Sequence, residues 1–214
     1  MLRLITFEGG DGTGKTTQIR ALESCFHELA RPYIVTREPG GTALGALIRK
    51  ALLEVSEHEI ASSTELFLYL ADRAQHVNEI ILPAMNARSI VLCDRFTDST
   101  LAYQGYGRGI DLEWLRRLND HASGGVRPDL TFLFDCPVEI SLARTARRRT
   151  RSVAANSKVD RFERETVEFH ERVRLGFLKM AEIEPQRFRV IDATRPVEEI
   201  SAVIRRITEQ ELLK

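Results

Sequence analysis

Phe7-Glu8-Gly9-Gly10-Asp11-Gly12-Thr13-Gly14-Lys15-Thr16-Thr17 continues directly from an apolar run, Leu2-Arg3-Leu4-Ile5-Thr6-Phe7. From Gly9 to Thr16 it satisfies G-x-x-x-x-G-K-[ST], and the following Gln18-Ile19-Arg20-Ala21-Leu22-Glu23 reads as helix. Strand, glycine-rich turn and helix, in that order, are the context in which this motif has meaning. Glycines let successive backbone N–H groups converge on an anion, and the helix start adds partial positive charge. Lys15 has the length to reach the outer phosphates of a nucleotide, and the Thr16 hydroxyl suits Mg²⁺. Gly9, Gly10, Asp11, Gly12, Thr13, Gly14, Lys15, Thr16 and Thr17 are therefore the candidate phosphate loop.

Further along, strand-like runs alternate with helical ones. Strands are expected at Leu2–Phe7, Tyr33–Arg37, Ser89–Asp94, Leu130–Asp135 and Phe188–Asp192, all short and rich in β-branched or aromatic residues. Helices are expected at Lys15–Ala30, Leu44–Leu53, Ala61–Ala87, Leu112–Ser123, Val138–Arg148, Arg161–Ile183 and Val197–Leu212. This βα alternation implies a P-loop NTPase-type α/β fold, a five-stranded parallel sheet flanked by helices on both faces. Gly105–Gly109 and Arg149–Lys158 read as loops at a site, and residues 1–214 as one domain. Ligand is expected outside the carboxyl ends of the strands. Gly9–Thr16, Arg37-Glu38, Asp94-Arg95 and Asp192 all follow strands.

The 214 residues balance 31 basic against 31 acidic side chains, so no global field draws the chain to nucleic acid or membrane. Cys25, Cys93 and Cys136 are too few and too scattered for a disulfide framework or zinc site. Cys93 and Cys136 read as small core residues. No signal-peptide pattern or long apolar run is present, which points to the cytoplasm. Trp114 is expected in a core or interface, and His27, His58, His121 and His170 at the surface.

A phosphate loop alone does not separate kinases from switches. The guanine-reading N-K-x-D of switch GTPases is absent, since Asn78, Asn86, Asn119 and Asn156 are not followed by Lys. Arg37-Glu38-Pro39-Gly40-Gly41-Thr42 ends the second strand, with Thr42 placed to cap a helix. Asp94-Arg95-Phe96 ends the third with a Walker-B type acid and an arginine suited to bidentate phosphate capture. Two phosphate anchors imply two phosphorylated ligands.

With these motifs, and with Ala71-Asp72-Arg73-Ala74-Gln75-His76, Ala102-Tyr103-Gln104-Gly105 and Asp160-Arg161-Phe162-Glu163, the chain resembles the thymidylate kinases, in their bacterial form, from Leu4 to about Thr194. The resemblance implies Mg-ATP-dependent phosphorylation of dTMP to dTDP by direct in-line transfer, in a homodimer. It implies Asp11 at the deoxyribose and metal, Arg73 at the thymine edge, Arg49 and Arg95 at the dTMP phosphate, and Tyr103 under the sugar. Thymine stacking falls to Tyr69, where the family usually has Phe, with Phe67 the alternative. Glu38, Ser99, Thr100 and Gln104 belong to the same acceptor site, and Thr16 and Asp94 to the metal. A lid spans about 144–162: Arg144 packs on adenine, and Glu163 is a lid acid or a surface residue. Because Asp11-Gly12-Thr13 lacks an arginine, the lid supplies one; Arg147, Arg148, Arg149 and Arg151 are candidates, with Arg148 first. Lys15, Arg95, Arg148 and Asp11 form the expected catalytic set. Asp192–Pro196 resembles the loop beside adenine. The competing reading is another nucleoside monophosphate or deoxynucleoside kinase.

Overall fold

The computed structural model describes residues 2–54, 59–151 and 161–213, the side chains of 149 and 151 excepted. Five strands form one parallel sheet: β1 (Leu4–Glu8), β2 (Tyr33–Arg37), β3 (Ile90–Asp94), β4 (Leu130–Asp135) and β5 (Phe188–Asp192). Their spatial order is β2-β3-β1-β4-β5. The chain passes from β1 to the edge strand β2, returns inward through β3 beside β1 and then crosses to the other side, so the crevice beside the end of β1 is the switch point. Register puts Phe7 against Asp94 and Glu8 against Leu133, which opens the phosphate loop between two flanking strand ends.

Period-two alternation divides the apolar side chains between the faces. Ile5, Phe7, Leu92, Phe132 and Phe134 pack with Ile19, Leu22 and Phe26 of α1 (Lys15–Glu28) and with Ile200 and Ile204 of α9 (Val197–Leu212). The rings of Phe7 and Phe132 lie 5.7 Å apart. On the other face Leu4, Val91 and Cys93 pack with Val77 and Ile81, while Leu133 packs with Phe169, Val173 and Phe177. All three cysteines are buried and unpaired.

Between these strands stand α2 (Ala43–Leu53), α3 (Ser62–His76), α4 (Leu82–Asn86), α5 (Thr97–Thr100), α6 (Leu112–Ala122), α7 (Val138–Arg151) and α8 (Val167–Ile183). Thr42 caps α2, its hydroxyl accepting from Gly45 N at 2.9 Å. The helix expected over Ala61–Ala87 is not uniform: a wide π turn, Val77–Ile81, joins α3 to α4. Pro83 has no N–H to return to Glu79 and its ring crowds that carbonyl, so the chain widens just ahead of it.

Gly105–Gly109 is not the loop expected. Leu101–Gly107 continues α5 as a helical π turn. A Cβ on Gly105 would come within 2.4 Å of Leu112, and one on Gly107 within 2.7 Å of the Phe169 ring. These glycines permit close packing rather than a turn, and Gly176 of α8 does the same for the Tyr106 ring. Of the second expected loop, 149–151 continue α7 and 152–158 lie outside the described residues. A short 3₁₀ turn, Phe162–Arg164, precedes α8, whose cap is Thr166. Among the described residues no helix is long and apolar enough to cross a membrane.

Candidate active site

Two adjoining cavities open at the carboxyl ends of the strands. The larger, about 1220 Å³ and open to solvent, is lined on one side by Asp11, Gly12, Gly14, Lys15, Thr16 and Thr17. Facing these are Arg37, Asp94, Arg144, Arg148 and Glu163. Gly14 takes φ 94 immediately before α1, and α1 has no side-chain cap, which leaves its first N–H groups for a ligand. Lys15 Nζ donates to the carbonyls of Gly9 (3.0 Å) and Gly10 (2.7 Å), drawing the loop around its own ammonium. Burial, then the neighbouring Arg95, lowers the Lys15 pKa from 10.5 to about 8.

Gly9, Gly10 and Thr13 do not line this cleft. They face a smaller cavity behind the loop, where the Thr13 hydroxyl donates to Gly10 O at 3.0 Å. A Cβ on Gly9 would sit 2.5 Å from Phe134 O, so this glycine serves the approach of loop to β4. Their role is the shape of the loop. Arg148 is in the cleft, Arg147 is exposed outside its lining, and Arg149 and Arg151 have no described side chains. Asp160 lies outside the described residues. Arg144 donates to Ala193 O at 2.7 Å, which ties α7 to the loop after β5.

The Thr16 hydroxyl donates to Asp94 Oδ2 at 3.3 Å. Two hard oxygens at the cleft floor suit a Mg²⁺ that takes its remaining ligands from phosphates and water. Among the described residues no group of three or more His, Cys, Asp or Glu could hold a metal ion.

The second cavity, about 530 Å³, is in the range of small-molecule pockets. Every residue expected at the acceptor site lines it: Asp11, Glu38, Arg49, Tyr69, Arg73, Arg95, Ser99, Thr100, Tyr103 and Gln104. Phe67, the alternative stacking residue, points elsewhere and is 54% exposed. Pro39, Leu53, Phe96 and Phe162 complete the wall. Arg49 Nη1 donates to Pro39 O at 2.9 Å, and its stem lies beside Gly40.

Arg73 is 1% exposed and almost fully committed. Its Nε donates to Glu38 Oε2 at 2.9 Å, Nη2 pairs ionically with the same oxygen at 2.8 Å, and Nη1 donates to Thr100 Oγ1 at 2.9 Å and to Asn119 Oδ1. One Nη2 hydrogen is left uncommitted by these bonds. The guanidinium also lies 5.3 Å over the Phe96 ring.

Asp11, Glu38, Arg49 and Arg95 line both cavities. Arg95 stands at their junction with φ 69, a left-handed conformation rare outside glycine. Its Nη2 donates to Asp11 Oδ1 at 2.8 Å and to the Tyr103 hydroxyl at 3.3 Å, and Nη1 to Ser99 Oγ at 3.1 Å. Against burial, which raises it, Arg95 and then Lys15 hold the Asp11 pKa down at about 2. Tyr103 presents its ring to Phe162 edge-on at 5.4 Å, and burial pushes its hydroxyl well above the usual tyrosine range.

Several supports were not visible as site residues in the sequence. Glu8 is fully buried and accepts from Phe96 N at 2.7 Å and the Ser99 hydroxyl at 2.6 Å, which shapes the Asp94–Ser99 turn. Burial, then the charge of Asp98, raises its pKa well above the carboxylate range. His76, assigned no role from sequence, is fully buried between Glu38 Oε1 (2.8 Å) and Thr36 Oγ1 (2.6 Å). Asp72 accepts from Gly40 N at 3.0 Å; its Oδ2 has no hydrogen-bond partner among the described residues, and burial followed by Glu38 raises its pKa to about 6. His170 is not at the surface as expected. It is 8% exposed on the inward face of α8, edge-on to Phe169 at 5.6 Å, because helical spacing groups it with Val173 and Phe177. Trp114 is 39% exposed rather than core, while His27 and His121 are exposed and His58 lies outside the described residues.

The family model for thymidylate kinase matches residues 7–204. A thymidylate kinase of Desulfovibrio desulfuricans is 54% identical over 196 residues, covering 92% of this chain and 90% of its own length. That of Geobacter sulfurreducens is 50% identical over 200 residues, covering 94% and 93%. The crystal structure of an Ehrlichia chaffeensis thymidylate kinase superposes with a TM-score of 0.77 at 33% identity, covering 97% of this chain and 98% of that one. With a phosphate loop beside a second pocket and this breadth of likeness, the chain belongs to the thymidylate kinase family, among the ATP-dependent nucleoside monophosphate kinases.

Proposed function

We propose that the protein transfers the γ-phosphoryl group of Mg-ATP directly to the phosphate of dTMP, giving ADP and dTDP. The observation that carries this reading is the shared wall. Arg95 and Asp11 belong to both cavities, so an anionic acceptor in one and a triphosphate in the other meet at a single guanidinium. The acceptor oxygen is already a nucleophile, and positioning with charge neutralisation suffices for the chemistry.

In this reading Lys15, Arg95 and Arg148 surround the migrating group, while Gly12 to Thr17 hold the donor phosphates and Arg144 the adenine side. Thr16 and Asp94 would hold Mg²⁺, which supplies charge neutralisation on the phosphate oxygens when bound. Tyr69 stacks on the base, Arg73 offers its uncommitted N–H to the base edge, and Arg49 shares the acceptor phosphate with Arg95. Ser99, Thr100 and Gln104 complete the polar lining. Tyr103 lies beneath the sugar, where a 2′-hydroxyl would meet its ring.

An ADP-release assay with Mg-ATP and a panel of dTMP, dUMP, dCMP, dGMP, the ribose form of TMP and thymidine tests this. Fast turnover is expected with dTMP, weak turnover with dUMP and little with the ribose form. Turnover with another acceptor and none with dTMP would refute the base-site assignment while leaving the phosphate chemistry intact.

A further inference from the structure

Glu65, in the first turn of α3, lines neither cavity, yet it is fully buried and joins segments that line both. Its Oε1 accepts from Gln104 Nε2 at 2.8 Å and Arg108 Nε at 3.3 Å. Its Oε2 accepts from Arg108 Nη2 at 3.2 Å and from Arg161 Nη2. Arg108 reaches on to Glu165 at 2.6 Å, and Arg161 donates through its backbone N to Leu53 O (3.2 Å) and through Nε to Leu52 O (3.1 Å).

This run of alternating charges brackets Phe162. The Arg161 and Arg108 guanidinium groups lie 4.8 and 5.6 Å from the centre of its ring. Phe162 walls the acceptor pocket, and the next residue, Glu163, lines the phosphate cleft. Neighbours in one tight 3₁₀ turn do not move independently, so whatever seats Phe162 also seats Glu163. A carboxylate is required at position 65 because four N–H groups converge on it. An amide would accept at one oxygen and turn its own N–H groups on a guanidinium.

Resting on the acceptor and donor assignment above, we propose that Glu65 is a positioning residue that couples the two ligand sites. Through Arg161 and Arg108 it holds the Phe162–Glu163 turn, so acceptor against Phe162 pre-orders the donor cleft, and donor pre-orders the acceptor pocket. Such coupling is reciprocal, and the ratio of affinities measures it.

The test is calorimetric titration of the full chain with dTMP, alone and in the presence of Mg²⁺ and a non-hydrolysable ATP analogue, for wild type and Glu65→Gln. In wild type the analogue is expected to tighten dTMP by about fivefold or more. In Glu65→Gln that factor falls towards one while the analogue alone binds as in wild type. A merely structural role would lower the melting temperature and leave the factor unchanged; that result, or no coupling in wild type, overturns the proposal. If Glu65→Gln does not fold, Arg161→Lys serves: it keeps a positive charge beside Glu65 but loses the guanidinium fork, and the factor is again expected to fall. Failure of wild type to turn over dTMP would sink the functional reading itself. Normal turnover with coupling intact in the variants sinks this inference alone.

Discussion

Replacing Glu38 by Gln removes one charge from the most enclosed ion pair at the site. Glu38 and Arg73 side chains are 3% and 1% exposed, and Glu38 Oε2 accepts from Arg73 Nε at 2.9 Å and pairs with its Nη2 at 2.8 Å, while Oε1 meets His76 at 2.8 Å. An amide serves one of these sides with its oxygen and presents N–H groups to the other. Breaking a buried pair in this way costs about 3–5 kcal/mol, which at about 2–4 °C per kcal/mol for a chain of this size lowers the melting temperature by about 6–20 °C. The functional effect is separate: Arg73 loses the fork that aims its uncommitted N–H. A hydrogen bond involving a charged group is worth about 1.5–3 kcal/mol, so the KM for dTMP should rise about 10- to 150-fold. The KM for ATP should change far less, because Arg73 does not line the phosphate cleft. Calorimetric melting and initial-rate kinetics read the two effects, and His76→Leu, which removes the contacts to Thr36 and to Glu38 Oε1 but none to Oε2, is the control: destabilised, with acceptor KM retained. A Glu38→Gln variant that melts lower yet keeps its dTMP KM would refute the role given to Arg73.

Three further outcomes are expected. Arg148→Ala should lower kcat by about 10²–10³, as for loss of one donor to transition-state charge, whereas Arg147→Ala, outside the cleft, should leave turnover intact; equal losses would refute the assignment. Gly12 has φ 77 and a Cβ there would sit 2.3 Å from Ser141 O, while one on Gly10 meets nothing nearer than 3.8 Å. Gly12→Ala should therefore cost about 2–5 kcal/mol and abolish ATP binding, Gly10→Ala much less, as melting and ATP titration would reveal. Lys15 loses its proton as pH rises through about 8 in the folded chain, so ATP affinity should weaken above that pH. Because the unfolded lysine titrates at 10.5, the unfolded chain binds more protons between about 8 and 10.5, and stability should rise across that window. Lys15→Gln should remove both trends; trends that persist would point to another group.

The sheet was legible because each strand is a short apolar run bounded by turn chemistry, and the phosphate loop names its own flanks. Where the reading failed, the cause was long-range. Gly105 and Gly107 look alike in sequence to turn residues, yet here they admit Leu112 and Phe169. Nothing local distinguishes a glycine that turns the chain from one that lets another element approach. Glu65, His76 and His170 are buried, against the usual behaviour of such side chains. The partners of Glu65 and His76, Arg161 and Glu38, lie far away in sequence, beyond the reach of spacing rules, whereas helical spacing alone groups His170 with Val173 and Phe177. That the expected acceptor residues would line one cavity was legible because the family motifs mark them together. The inward lining by Arg37 and Phe162, and the turning of Gly9, Gly10 and Thr13 away from the cleft, depend on loop path rather than residue type.

The left-handed backbone at Arg95 ties local strain and the guanidinium shared by the two cavities to one residue. A non-glycine residue held there costs about 1–3 kcal/mol, so glycine, or asparagine in part, would relieve the backbone at once. Arg95→Gly would relieve that angle but also remove the guanidinium that donates to Asp11, Tyr103 and Ser99, so the relief is offset by the lost contacts. Redesign of this scaffold has to exempt position 95 from any score of backbone strain, because this left-handed angle belongs to a residue that lines both cavities.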